Sequence, residues 1–234
     1  MAMTQRIEER KMKSTTMQSG EAEVVREYGP FGDGPVNGVT FDGKLVWFAR
    51  NSELVAFDPG TEKVVHRHAV PADAGTAFDG ENLYQIAGGE ILVIRPADGR
   101  VLRKLPAPGK GSDSGMAYAD GYLWIGQYRA AKIHQVDVKT GEVVKTLTSD
   151  RFVTGVSCVG EALWHGTMAT DTQPAELRRL ALDGAVEETL TVNGTTHIAG
   201  VESDGEGGFW CGGAGGKLLH VRRRNAAAKN TKKS

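Results

Sequence analysis

One pattern of apolar and polar positions returns five times along the chain. The five segments are NGVTFDGKLVWFAR from Asn37, AGTAFDGENLYQIA from Ala74, SGMAYADGYLWIGQ from Ser114, TGVSCVGEALWHGT from Thr154 and AGVESDGEGGFWCGG from Ala199. Each opens with a small residue, a glycine and then apolar positions, turns at a glycine, and closes on an apolar–aromatic pair. The leading glycines, Gly38, Gly75, Gly115, Gly155 and Gly200, recur about every 40 residues, the length of one blade in a radial repeat. The aromatic positions coincide as Trp47, Tyr84, Trp124, Trp164 and Trp210. Asp42-Gly43, Asp79-Gly80, Asp120-Gly121 and Asp204-Gly205 are hairpin turns by composition, with Val159-Gly160 as the variant. A third strand follows each hairpin (ELVAFDP, EILVIRP, KIHQVDV, ELRRLAL, KLLHVRR). A second turn and a fourth strand (KVVHRHA, RVLRKLP, EVVKTLT, AVEETLT) complete the first four repeats.

The fifth repeat stops after three strands, because RRRNAAAKNTKKS follows Val221. Its missing strand has a match at the other end of the chain, where EVVREYG from Glu23 carries the pattern of KVVHRHA and EVVKTLT. Circular closure by the N-terminal strand would remove the exposed strand edges that invite aggregation. The expected fold is therefore all-β: a five-bladed β-propeller of four-stranded antiparallel blades over residues 22–224, closed by the N-terminal strand. Residues 1–21 are expected to be a disordered extension and residues 225–234 a disordered basic tail.

The 234 residues suffice for one domain with a substantial core, and a formal charge of -1 gives no global pull toward nucleic acid or membranes. No apolar run approaches the roughly 18 residues of a membrane span. The first twenty residues lack the apolar centre of a secretory signal. A soluble, cytoplasmic monomer is expected, without nucleic-acid or membrane partners. Cys158 and Cys211 are too few for a disulfide framework and read as small buried residues.

In a propeller the first–second and third–fourth strand turns share one face, and the remaining loops surround the mouth of the central channel on the other. Here the first set is short and turn-optimised, while the second is longer and chemically varied. Binding groups concentrate on such variable loops. The candidate site is accordingly the mouth, with Asp113, His165 and His197 as acid/base candidates and Asn37, Arg50, Gln127, Tyr128 and Thr154 as substrate-binding candidates. Asp113 can cap its own loop beside Ser112 and Ser114 or point into the channel. His165 stands in a second strand packed between blades, where a core histidine bonded to a carbonyl competes with an acid/base role. No CxxC, HExxH or GxSxG motif occurs. The metal complement is undetermined, and a divalent cation held by scattered channel oxygens is compatible with this composition.

The repeats GVTFDGKLVWF and GYLWIGQYRAAKIHQVDVKTGEVV resemble the glutaminyl-peptide cyclotransferases of bacterial and plant type. More distantly they are similar to virginiamycin B lyase and other YncE-like propellers. The resemblance covers residues 22–224 and implies a five-bladed propeller with a ligand at the channel mouth. The cyclotransferase family reads Gln-Gly-Leu and then Leu-Tyr-Glu-Ser in its first blade, with that Glu implied in proton transfer. This chain has Asn37-Gly38-Val39 and Val46-Trp47-Phe48-Ala49, so Phe48 stands at the Glu position. Glutaminyl cyclisation is therefore expected to be weak or absent. Two functions remain open: a cyclotransferase-like or lyase-like enzyme (a transferase or lyase) acting on a small polar or peptide-like substrate, and a non-catalytic propeller binding a small ligand or protein partner on the same face.

Overall fold

The computed structural model describes residues 17–50 and 52–224. The expected extension over residues 1–16 and the expected tail over residues 225–234 lie outside them. The described residues hold twenty strands and no helix. In chain order they are β1 (Gln18–Tyr28), β2 (Val39–Phe41), β3 (Val46–Arg50), β4 (Glu53–Asp58), β5 (Lys63–His68), β6 (Thr76–Phe78), β7 (Leu83–Ala87), β8 (Glu90–Ile94), β9 (Val101–Pro106) and β10 (Asp113–Ala119). They continue with β11 (Tyr122–Gln127), β12 (Lys132–Asp137), β13 (Val143–Thr148), β14 (Val156–Val159), β15 (Ala162–Thr167), β16 (Glu176–Leu180), β17 (Val186–Asn193), β18 (Val201–Ser203), β19 (Gly208–Gly212) and β20 (Leu218–Arg223).

Three antiparallel sheets run β2-β3-β4-β5, β6-β7-β8-β9 and β10-β11-β12-β13. A fourth sheet runs β14-β15-β16-β17-β1-β20-β19-β18. In its second half β1 completes the last repeat from outside, antiparallel to β20, with Val24 opposite Val221. The pairing of Val24 with the strand leading to Val221 is the one the sequence pattern requires.

One boundary differs from expectation. β1 begins at Gln18, so residues 18–21 belong to the fold rather than to an extension. Gln18 through Glu23 pair in parallel with Glu188 through Asn193 of β17, stitching the fourth repeat to the fifth. QSGE shows no apolar alternation; its side chains are mostly exposed, and backbone pairing and an ion pair from Arg224 to Glu21 hold it there. A fork-like ion pair from Arg223 to the buried Glu188 links the strands on either side of β1.

The apolar core is divided into slabs, one between each pair of neighbouring repeats. Trp47, Leu54 and Ala56 meet Leu83, Leu92 and Ile94. Tyr84 and Ile86 meet Met116, Leu123 and Ile125. Trp124 and Ile133 meet Val156 and Leu163, and Trp164 and Leu177 meet Val201 and Phe209. Trp210 and Leu218 close the circle against Val39, Phe48 and Val55. Second strands such as β3 are therefore buried on both faces, while outer strands such as β5 and β13 are largely exposed. The outer pairs carry a register shift at the same place in four repeats, between Ala56/Phe57, Val93/Ile94, Gln135/Val136 and Arg179/Leu180. Such bulges increase local twist, which suits strands that splay away from an axis.

The innermost strands touch in a closed circuit, β2 to β6 to β10 to β14 to β18 and back to β2. The repeat glycines make that approach possible. A Cβ on Gly75 would lie 2.5 Å from the Met116 nitrogen, one on Gly115 2.5 Å from Gly155, and one on Gly200 2.6 Å from the Val39 nitrogen. Those contacts are with backbone, which cannot step aside.

Candidate functional site

A cavity of about 200 Å³ opens where the inner strands begin. Asn37, Ala74, Ser114, Thr154 and Ala199 line it, and each is the residue preceding a repeat glycine. The repeat itself thus brings five distant positions to one basin. Asp73, Asp113, Tyr128 and Met168 complete the wall.

Asp113 heads β10. Both its carboxylate oxygens accept the Gly109 N–H, at 2.9 and 3.0 Å. Burial pushes its pKa up to about 6, against the lowering effect of that hydrogen bond. The loop-capping role and the cavity-lining position belong to the same side chain. Asp73 accepts the Gly88 N–H at 2.9 Å, and Asn37 donates to the Asp73 carbonyl at 3.1 Å. Ser114 donates to the Val153 carbonyl at 2.7 Å. Thr154 is 4% exposed, and its hydroxyl has no hydrogen-bond partner although it borders the cavity. Tyr128 packs against the exposed ring of Phe152 at 5.0 Å, giving the mouth an aromatic rim. The wall holds two carboxylates and no Lys, Arg or His. A small cation, above all an ammonium group, suits this lining.

Four of the eight site residues expected from sequence, Asn37, Asp113, Tyr128 and Thr154, line the cavity. The other four do not. Arg50 is buried as a strut, donating to the Asp33 carbonyl at 2.6 Å and to Glu53 at 3.1 Å. Gln127 pairs with Asp113 across β10 and β11 but stands outside the lining. His165 is fully enclosed, because both faces of a second strand are buried. Its ring nitrogens meet Ser149 Oγ at 3.2 Å and the Gly166 carbonyl at 3.1 Å, and burial drives its pKa down to about 4. It is a neutral core histidine. His197 is half-buried two residues before Ala199; its Nε2 has no partner, and burial lowers its pKa. Among the described residues no three His, Cys, Asp or Glu side chains converge as metal ligands, so a divalent cation would have to rely on isolated oxygens.

The fold is similar to that of a solved glutaminyl cyclase. The enzyme is that of Myxococcus xanthus, 15% identical, with a TM-score of 0.73 over 89% of this chain and 98% of that one. Kuenenia stuttgartiensis hydrazine synthase is a more distant match, also 15% identical, with a TM-score of 0.53 over 75% of this chain and 55% of that one. No family model matches the sequence, and no curated protein matches it. At these identities the likeness is one of fold: all-β and propeller-like. Phe48 is fully buried in the slab between the fifth and first repeats, 4.8 Å from Phe31, and no carboxylate takes its place there.

Sequence reasoning missed one ionisable group on the axis. In the inner strands Thr40, Ala77, Ala117, Ser157 and Glu202 occupy one register, each opposite the aromatic residue of the second strand. Four are small and one is a carboxylate. Glu202 accepts from Thr40 Oγ1 at 3.0 Å, from Ser157 Oγ at 2.8 Å and from the Ser203 N–H at 2.8 Å. Burial nevertheless raises its pKa to about 7. It does not line the cavity.

Proposed function

We propose that the chain is a five-bladed propeller enzyme of cyclotransferase type, acting at the channel mouth on a small substrate with a free amine. One observation carries the reading: the Asp113 carboxylate, with a pKa near 6, lines a cavity that contains no competing cation. A base poised near the operating pH is suited to proton transfer in both directions. In this reading the carboxylates of Asp73 and Asp113 receive the substrate ammonium. Asp113 takes one of its protons, the neutral nitrogen attacks a carbonyl of the same molecule, and a C–N bond forms. The proton then passes from Asp113 to the leaving nitrogen as the old acyl bond breaks, and Asp113 takes the second proton from the new C–N nitrogen and hands it to the expelled amine or ammonia. Pockets for drug-sized ligands run to roughly 300–1,000 Å³. A cavity of about 200 Å³ fits something nearer one amino acid.

The test is to incubate the protein with small peptides and amino-acid amides bearing a free N-terminal amine and to follow cyclisation by mass spectrometry. Cyclised product is expected, forming about a hundredfold more slowly with Asp113→Asn. Failure to turn over any free-amine compound that binds would overturn the catalytic reading. Equal rates for Asp113→Asn would overturn the role of Asp113.

A further inference from the structure

The opposite face carries a larger hollow of about 410 Å³ in the groove between the third and fourth repeats. Its origin lies in the turns. In the first two repeats the turn aspartate bonds the polar atom of the second-strand aromatic: Asp42 accepts from Trp47 Nε1 at 2.8 Å and Asp79 from Tyr84 OH at 2.9 Å. The same aspartates cap the N–H groups of Leu45 and Asn82. In the third and fourth repeats the turns have the same length, but Ala119 and Val159 stand at the position of Asp42 and Asp79. Ala119 pairs directly with Tyr122, and Asp120 takes the left-handed conformation at φ 50°. In the fourth, Val159 pairs directly with Ala162, and Gly160-Glu161 form the turn. Neither the Ala119 nor the Val159 side chain can act as the acceptor, so Trp124 Nε1 has no protein partner, although Trp124 is 6% exposed and lines the groove.

The groove combines charged, apolar and thiol-bearing walls. Asp120 and Glu161 belong to the two turns, and Tyr122, Leu163 and Leu182 supply apolar surface. Cys158 adds a thiol that burial holds protonated, with a pKa near 12. Lys145 is already engaged by the Leu182 carbonyl. Leu182 is 51% exposed, so the apolar wall reaches the surface.

We infer that this groove is a second ligand site, separate from the mouth cavity, for a small aromatic amine that carries a hydrogen-bond acceptor on its ring. The ammonium lies between the turn carboxylates, the ring lies on the apolar walls, and the ring acceptor receives the Trp124 N–H. The Trp124 indole N–H, bonded to no protein group, is a donor that such a ligand can engage. Both carboxylates are exposed, so each favours a cation modestly. Together they give roughly a tenfold preference for the amine over its neutral counterpart.

Tyramine is the probe, with tyrosol as the counterpart lacking the amine and phenethylamine as the one lacking the ring acceptor. Binding is read by tryptophan fluorescence and by the NMR shift of the Trp124 indole N–H, identified with Trp124→Phe. Tyramine is expected to bind saturably, to move that resonance, and to bind about tenfold better than tyrosol. Asp120→Asn combined with Glu161→Gln is expected to remove that preference. Asparagine tolerates the left-handed conformation, so the turn is retained. Asp113→Asn is expected to leave the indole shift unchanged, separating this site from the cavity. Equal affinity for tyramine and tyrosol, full affinity in the double variant, or no movement of the Trp124 resonance at saturation would overturn the proposal.

Discussion

Replacing Glu202 by glutamine keeps shape and hydrogen-bonding capacity while removing a charge from the channel axis. The carboxylate is held there at a pKa of about 7, against an ordinary value of 4.5. Below pH 4.5 the group is protonated in both the folded and the unfolded chain and favours neither. Between 4.5 and 7 the unfolded chain releases its proton while the folded chain retains it, so stability falls as pH rises. Above 7 the penalty is complete. At about 1.4 kcal/mol per pKa unit, the window is worth roughly 3 kcal/mol. For a domain of this size that corresponds to roughly 5–10 °C in Tm. Asp113, raised to about 6, contributes in the same direction, so the native curve mixes both groups. The difference between the native protein and Glu202→Gln isolates the axial one. Thermal melts followed by circular dichroism from pH 4.5 to 8.5 provide the assay. The variant is expected to match the native protein near pH 4.5 and to exceed its Tm progressively up to pH 8. A difference that does not change with pH, or a variant less stable at pH 8, would refute the reasoning.

Other predictions follow from particular contacts. Deleting residues 1–28 removes β1 from between β17 and β20 and is expected to abolish cooperative unfolding, whereas deleting residues 1–16 is expected to preserve it; melting curves of the two truncations decide. Gly115→Ala places a methyl group against the Gly155 backbone and is expected to cost about 1–3 kcal/mol by urea denaturation, whereas Gly43→Ala meets no atom within 4 Å and is expected to cost only the strain of its positive φ. With Phe48 sealed in the core, conversion of glutaminyl peptides to pyroglutamyl products is expected to be weak or absent, and robust conversion in a coupled ammonia assay would show that Asp113 serves that reaction alone.

The sequence carried the fold because its signals were periodic. A glycine before each inner strand, an Asp-Gly turn and an aromatic at fixed spacing reported the same geometry five times, and EVVREYG matched the gap they left. The polar start of β1 escaped notice because backbone pairing and an exposed ion pair, not apolar side chains, hold it. At the site, Asn37, Thr154, Ala74, Ser114 and Ala199 could all have been found together, since each precedes a repeat glycine. His165 was misleading because residue type suggested chemistry while a second strand buried on both faces left it no access. Glu202 was overlooked in a segment that reads as a turn, ESDGEGG, although its register partners Thr40, Ala77, Ala117 and Ser157 mark it as the one charged member of the ring. The groove at Trp124 depends on Ala119 and Val159 standing where the first two repeats carry Asp42 and Asp79, a difference whose consequence appears only when neighbouring repeats are packed together.

The most direct test of the central claim is the pH dependence of amine binding at the mouth. Glycinamide keeps its ammonium through most of the range from pH 5 to 7, since α-amino groups titrate near 7.7–8.0. Asp113 becomes ionised across the same range. Isothermal titration should show glycinamide affinity rising about tenfold between pH 5 and 7 in the native protein, in step with the carboxylate. It should be flat and weak in Asp113→Asn, with N-acetylglycinamide failing to bind either protein. The same rise in both proteins, or equal binding of the acetylated compound, would contradict the assignment of Asp113 and of the cavity as an amine site.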